Sequence, residues 1–182
     1  MMNFIYNDGG RKTAGYKGHA GDCVARSIAI ATGKPYQEVY TTLAKGTGEQ
    51  RASRRTSKRS ASARNGINTR RKWFRDYMAS IGWRWVPTMQ IGQGCKVHLA
   101  AGELPQGRLI VAVSKHYTAV IDGVIHDTHD PQREVSDEIW TRQLDYQLVA
   151  GERELDRDED EDTKTVCRPI GGRCIYGYWI KA

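Results

Sequence analysis

Apolar positions repeat at helical spacing in three segments of the N-terminal half of the chain. The first, residues 22–33 (DCVARSIAIATG), is apolar on nearly every side, which predicts a buried helix that begins after Asp22 and stops at Gly33. Residues 34–46 (KPYQEVYTTLAKG) and 68–82 (NTRRKWFRDYMASIG) each carry one apolar face, so we expect two amphipathic helices there.

Short apolar runs follow in the second half of the chain. Five of them predict strands: 83–87 (WRWVP), 108–114 (RLIVAVS), 116–122 (HYTAVID), 123–128 (GVIHDT) and 174–180 (CIYGYWI). Helices that precede strands in this way indicate an α+β fold, with the buried N-terminal helix packed on an antiparallel β-sheet.

The Asp122–Gly123 pair suits a two-residue hairpin turn between the third and fourth of these strands. Such a turn sets Val120 opposite Ile125. It also places His116 and Asp127 on the same face of the sheet, because side chains alternate along a strand.

The remaining segments lack both patterns. Residues 1–21 are interpreted as an extended lead-in, and residues 91–107 as a loop with one short helix. We expect a single domain over residues 1–182 that carries a basic loop at 46–72 and an acidic insertion at 132–173, the latter with a short helix near its middle.

The formal net charge of +7 is spread unevenly. Residues 51–72 contain nine Lys or Arg and no acid, so the rest of the chain carries −2, while residues 152–162 contain eight acids and two arginines. The basic loop suggests nucleic acid as a possible partner, and a solvated loop is the alternative. The residues concerned are Arg51, Arg54, Arg55, Lys58, Arg59 and Arg64.

The cysteines and the hydropathy of the sequence indicate the cellular compartment. The four cysteines, Cys23, Cys95, Cys167 and Cys174, lie far apart, so we expect thiols, with a local Cys167–Cys174 disulfide as the alternative. No apolar run reaches the length of a membrane span, and the N-terminus lacks the long apolar stretch of a secretory signal. The expectation is a cytoplasmic protein with no membrane partner.

Cys23 and His116 are the candidate chemistry. Cys23 stands at the start of the predicted buried helix, where free N–H groups favour an anion and can also hold an oxyanion. His116 opens a strand, and either Asp127 or Asp130 can orient its ring. Nucleophile, base and carboxylate form a set typical of covalent catalysis. The alternative is an ordinary buried cysteine and a hydrogen-bonded histidine.

Residues 126–130 (HDTHD) also resemble a metal cluster, and Cys95 and His98 form a further Cys/His pair. Strand alternation sends His126 and His129 to opposite faces, however, and no C-x-x-C or H-E-x-x-H spacing is present. We therefore expect neither a metal nor a cofactor.

Two segments, GDCVARSIAIATGKPY and GRLIVAVSKHYTAVIDGVIHDTHDP, resemble the papain-like cysteine peptidase superfamily. The Asp130–Pro131 pair is similar to that of the bacteriocin-leader peptidases. Over about residues 4–131 and 174–179 the chain also resembles a set of phage and bacterial proteins. The superfamily resemblance implies a papain-like fold, with Cys23 as nucleophile, His116 as base and Asp127 or Asp130 as third member. Lys17 stands near the position where those enzymes carry a glutamine oxyanion donor.

These observations predict a phage-associated thiol hydrolase that cleaves a peptide or isopeptide bond in a protein or peptide substrate. Acyl transfer to an amine would use the same groups. The alternative is a non-catalytic binding module that uses the basic loop on nucleic acid or on an acidic host protein. For a phage-encoded protein the compartment would be the host cytoplasm.

Overall fold

The computed structural model describes residues 1–50, 61–90, 92–132 and 172–182. The chain divides into two compact units, one made of Met1–Pro131 with Arg173–Ala182 and the other of Gln132–Gly172. The second unit corresponds to the predicted acidic insertion. Its acidic run and its predicted helix lie outside the described residues. All that follows concerns the first unit.

Three helices and six strands make up the described part of the first unit. The helices are α1 (Cys23–Thr32), α2 (Tyr36–Glu49) and α3 (Lys72–Ser80). The strands are β1 (Asn3–Tyr6), β2 (Trp83–Pro87), β3 (Arg108–Val113), β4 (His116–Ile121), β5 (Val124–Asp127) and β6 (Ile175–Lys181). The α+β class and all five predicted strands are confirmed. Residues 92–107, where one short helix was expected, contain turns and no helix.

The strands form one sheet in the order β1-β5-β4-β3-β6-β2. Every pairing from β5 to β2 is antiparallel, as predicted. β1 pairs with β5 in parallel, with Asn3 opposite Val124, so the sheet is mixed and the expectation of a purely antiparallel sheet is wrong at this edge. The extended lead-in of the sequence therefore supplies an edge strand.

Both faces of the central strands are buried, which explains why their sequences are nearly continuous apolar runs. Ile110 and Ala119 belong to the cluster that contains α1, whereas their neighbours Leu109 and Val120 belong to a second cluster with Leu99. This division follows from the alternation of side chains along a strand. Helix α1 is thus packed against the sheet as predicted, and its residues 24–31 are buried.

The boundaries of α1 match the sequence pattern, with one difference in the cap. Gly33 ends the helix in the left-handed region with a φ of 74°, the conformation that favours glycine. Asp22 occupies the N-cap position, but its side chain makes no capping hydrogen bond. The Asp22 carboxylate instead accepts hydrogen bonds from Arg11 and Tyr36 and faces Arg26.

Helix α2 runs to Glu49, past its predicted end at Gly46, so the basic loop begins later than expected. Gly46 and Gly48 are positions of close approach rather than stop signals. A Cβ atom built on Gly46 would lie 2.4 Å from the Trp73 ring, and one on Gly48 would lie 2.8 Å from Ala61. The glycines let α2 pack directly against these two residues.

A disulfide joins Cys95, in the segment after β2, to Cys174, just before β6, with a Cα–Cα distance of 5.9 Å. The expectation that these two residues are thiols is therefore wrong, and Cys174 does not pair with Cys167, which lies outside the described residues. Cys23 remains a free thiol. In the part of the chain that the structure describes, no helix has the length and hydropathy to cross a bilayer.

Candidate active site

Three elements bring Cys23, His116 and Asp127 together. Cys23 is the first residue of α1, His116 opens β4, and Asp127 ends β5. The β4–β5 turn places Asp122 (φ 48°) and Gly123 (φ 79°) both in the left-handed region, and Val120 lies opposite Ile125. The predicted hairpin and its register are confirmed.

Asp127, rather than Asp130, holds the histidine ring. His116 Nε2 lies 2.7 Å from Asp127 Oδ2, and the two side chains are 11% and 4% exposed. The other carboxylate oxygen of Asp127 accepts the Thr128 N–H at 2.7 Å. Asp130 is exposed beyond the end of the strand. The His116 hydrogen bond is made to Asp127, so it does not support the resemblance to the bacteriocin-leader peptidases at Asp130–Pro131.

The electrostatics of the site favour a charged pair between Cys23 and His116. Burial raises the pKa of the Cys23 thiol, but the hydrogen bond and charge of His116 lower it, and a hydrogen bond from the Tyr117 backbone and the charge of Arg26 add to the net lowering. Burial lowers the pKa of His116, but hydrogen bonds with Asp127 and Cys23 raise it to about 9. Both shifts favour the Cys23 thiolate and the His116 imidazolium over the neutral pair.

The two nitrogens of the His116 ring serve different partners. Nε2 is taken up by Asp127, which leaves Nδ1 for the Cys23 sulfur. Burial raises the pKa of Asp127, but the hydrogen bond and charge of His116 lower it on balance, so the carboxylate stays ionised. A fixed carboxylate orients the ring and stabilises its charged form.

A buried ionic network ties the start of α1 to the end of β5. Asp22 is 2% exposed; its Oδ2 accepts a hydrogen bond from Arg11 Nε at 2.8 Å and its Oδ1 lies 3.0 Å from Arg26 Nε. Arg26 in turn donates to the Thr128 hydroxyl, next to Asp127. Asp22, which precedes Cys23, is thus linked through Arg26 to Thr128, which follows Asp127.

Sequence reasoning missed this network. The i, i+4 spacing of Asp22 and Arg26 on one helix was the available signal, because oppositely charged residues at that spacing are neighbours. Tyr36 completes the network by donating its hydroxyl to Asp22. No local pattern indicates that Arg11, in a turn-rich lead-in, would reach the same carboxylate.

Cys23 and His116 open on a cleft of about 1160 Å³. Gly21, Asn65 and Thr69 are among the residues that line it, and Trp85, Met89 and Tyr176 line its apolar part. A volume of this size is large enough for a peptide segment. The Cys23 thiol and the His116 ring are therefore both part of the cleft wall.

The structure does not bring Lys17 to this cleft. Lys17 is exposed, it is not among the residues that line the cleft, and its carbonyl oxygen accepts a hydrogen bond from Arg11. The first intrahelical bond of α1 runs from the Arg26 N–H to the Asp22 carbonyl, so the earlier N–H groups have no acceptor within the helix. The Cys23 amide is thus the better candidate for an oxyanion donor.

Of the six candidate nucleic-acid contacts in the basic loop, one lies within the described residues. Arg64 is exposed and donates a hydrogen bond to the His19 carbonyl oxygen at 2.9 Å. The other five candidates lie outside the described residues: Arg51, Arg54, Arg55, Lys58 and Arg59.

Among the described residues, one group of three side chains is close enough together to hold a metal ion. His116, Asp127 and His129 offer one donor atom each, within 4.8 Å of one another. Two of these donors already bond to each other, so a metal would have to displace the His116–Asp127 hydrogen bond. His126 lies opposite Ala119 on the other face. Cys95 is in the disulfide, so the Cys95–His98 pair offers no thiolate.

No protein-family model matches this chain, and no curated protein and no solved structure matches it. The resemblance to papain-like peptidases therefore stays a prediction.

Proposed function

We propose that this protein is a thiol hydrolase that cleaves a peptide or isopeptide bond through Cys23, His116 and Asp127. The observation that carries the proposal is the position of the His116 ring. It is held at 2.7 Å by a buried carboxylate and acts on a free thiol at a helix start, on the wall of an open cleft.

In the proposed reaction Cys23 is first acylated and then released, and His116 first gives up a proton and then takes one back. The Cys23 thiolate attacks the acyl carbon while the first-turn N–H groups of α1 bind the developing oxyanion. The His116 imidazolium gives its proton to the leaving amine, which breaks the carbon–nitrogen bond and leaves a thioester. Water then attacks the thioester as His116 takes a proton, and the thiolate is released. An amine in place of water would give acyl transfer.

A papain-like fold for the first unit belongs to the same proposal. Its support is the order of the elements, with a buried helix that starts at the cysteine and packs on a sheet whose successive strands carry the histidine and the aspartate. Association with phage is a further expectation of the resemblance, and a cytoplasmic location is the expectation from hydropathy and from the N-terminal sequence. The Cys95–Cys174 disulfide argues against the cytoplasm, because disulfides persist mainly in oxidising compartments.

A generic activated ester tests the proposal without knowledge of the natural substrate. Mixed with p-nitrophenyl acetate near neutral pH, the protein should release a burst of nitrophenolate equal to the enzyme concentration, and mass spectrometry should find one acetyl group on Cys23. Cys23→Ala is the matched control for acylation of surface lysines. His116→Ala should slow the burst about a hundredfold or more.

The proposal fails if wild type and Cys23→Ala release nitrophenolate at the same rate. It also fails if acetylation of Cys23 is equally fast in His116→Ala, because the imidazole would then have no part in activating the thiol.

A further inference from the structure

Among the described residues, the cleft next to Cys23 is lined by cations and by no acid. Arg70, Arg75 and Lys115 belong to its wall, whereas no described Asp or Glu does. All three cations are exposed, and none of their charged groups has a hydrogen-bond or ion-pair partner within the described residues. Their charge is thus available to a bound molecule.

Two of these cations lie close to the reacting groups. Lys115 directly precedes His116 in the tight β3–β4 turn. Arg70 follows Thr69, whose hydroxyl accepts a hydrogen bond from Tyr117 at 2.9 Å. The charge of Arg70 lowers the pKa of Tyr117 while that of Cys23 raises it, which places both charges within reach of one phenol.

The apolar part of the cleft is farther from the nucleophile. Trp85, Met89 and Tyr176 line it, and they are three of the six large hydrophobic residues that are exposed at the surface of the described chain. Tyr176 lies on β6 and Trp85 on β2, two and three strands from the β4 strand of His116. At about 4.8 Å per strand, that is about 10–14 Å, or three to four residues of extended peptide.

A polar group in the same region points to a ligand with hydrogen-bond acceptors. Trp179 lines the cleft and is 4% exposed, yet its indole Nε1 has no acceptor in the described part of the chain. Buried indole N–H groups normally find a partner, and a peptide carbonyl oxygen would supply one.

We propose that the cleft binds peptide segments that carry an acidic side chain beside the reacting carbonyl and an apolar side chain about three or four residues away. The proposal names the substrate class and rests on the hydrolase function proposed above. Arg70 and Lys115 hold the carboxylate, and the surface around Trp85 and Tyr176 covers the apolar side chain. A peptide fits better than a single-stranded nucleic acid, because the aromatic residues lie together at one end rather than alternating with the cations.

The charge of the cleft is tested by alkylation, which requires no turnover. The rate of Cys23 alkylation by iodoacetate, an anion, is divided by the rate with neutral iodoacetamide, so that changes in thiolate population cancel. The double variant Arg70→Gln/Lys115→Gln should lower this ratio about fivefold at low salt, which is the effect that Coulomb's law gives in water for two unit charges at a separation of about 8 Å. The effect should disappear near 1 M salt. Arg84→Gln/Lys181→Gln, which removes two exposed charges outside the cleft wall, should leave the ratio unchanged.

Specificity is tested with short internally quenched peptides that carry Glu, Gln or Lys at each position in turn. Glu should be preferred over Gln, and Gln over Lys, at a position next to the cleaved bond, and the Arg70→Gln/Lys115→Gln variant should lose this preference. Competition with unlabelled acidic peptide should protect Cys23 from iodoacetamide.

Three results would overturn the inference: an alkylation ratio that the cleft variant does not change, a preference for Lys in the peptides, or protection of Cys23 by oligothymidylate and not by acidic peptide. A lowered ratio with protection by acidic peptide, in a protein that shows no acylation burst, would refute the hydrolase and leave the binding cleft supported.

Discussion

Asp127→Asn removes the charge that holds His116 while keeping nearly the same side-chain shape. The pKa of His116 rises from an ordinary 6.5 to about 9, a rise of about 2.5, or roughly 3 kcal/mol. Hydrogen bonds and charges of Asp127 and Cys23 both contribute to this rise, so the loss of Asp127 should lower the pKa of His116.

The consequence reaches Cys23 because the imidazolium is what lowers the pKa of the thiol. When less of the His116 ring is charged, the pKa of Cys23 rises. On acidification the Cys23 thiolate is therefore protonated at a higher pH than in wild type. Alkylation by iodoacetamide near pH 6 should be about tenfold slower in Asp127→Asn than in wild type. The two rates should converge at alkaline pH, where both proteins hold the thiolate.

The assay is a pH profile of Cys23 alkylation, followed by mass spectrometry of the intact protein. Asp130→Asn is the matched control, since it removes an exposed carboxylate three residues away. The reasoning is refuted if Asp127→Asn keeps the wild-type profile, and in particular if Asp130→Asn shifts it instead.

Two predictions concern stability, measured by urea unfolding. Gly46→Ala should lower the free energy of unfolding by about 1–2 kcal/mol, because the new Cβ would lie 2.4 Å from Trp73, although alanine is the better helix former. A stabilised variant would show that the close packing of Gly46 against Trp73 is wrong. Lys45→Ala, at an exposed position of the same helix, serves as the control. Replacing Cys95 and Cys174 by alanine should cost about 4.5 kcal/mol in the chain-entropy account, since the disulfide joins residues 79 apart. An unchanged unfolding midpoint under oxidising conditions would contradict the assigned disulfide.

Local patterns were sufficient for the parts of the site that depend on neighbours in sequence. The all-round apolar pattern and Gly33 defined the buried helix α1, which puts Cys23 at its start. The Asp122–Gly123 turn fixed the register of β4 and β5, and that register carries His116 to Asp127. Strand parity also favoured Asp127 over Asp130, although sequence alone left both open.

What the sequence did not show depends on contacts between distant residues. β1 has four residues and a mixed pattern, so its parallel pairing with β5 leaves no periodic signal. The Cys95–Cys174 pair is set by the approach of a loop to β6, which spacing cannot show. Asp22 occupies the predicted N-cap position, but its buried ion pairs were not foreseen, because a capping residue and a buried ion-pair partner look alike in sequence.

The central claim is that the Cys23 thiolate and the His116 imidazolium form a pair, and titration of His116 by NMR in selectively labelled protein tests it most directly. The account predicts that His116 titrates near 9 in wild type and clearly lower in Cys23→Ala, because the sulfur that raises its pKa is gone. A wild-type titration near 6.5 that Cys23→Ala leaves unchanged would contradict the pair and with it the hydrolase.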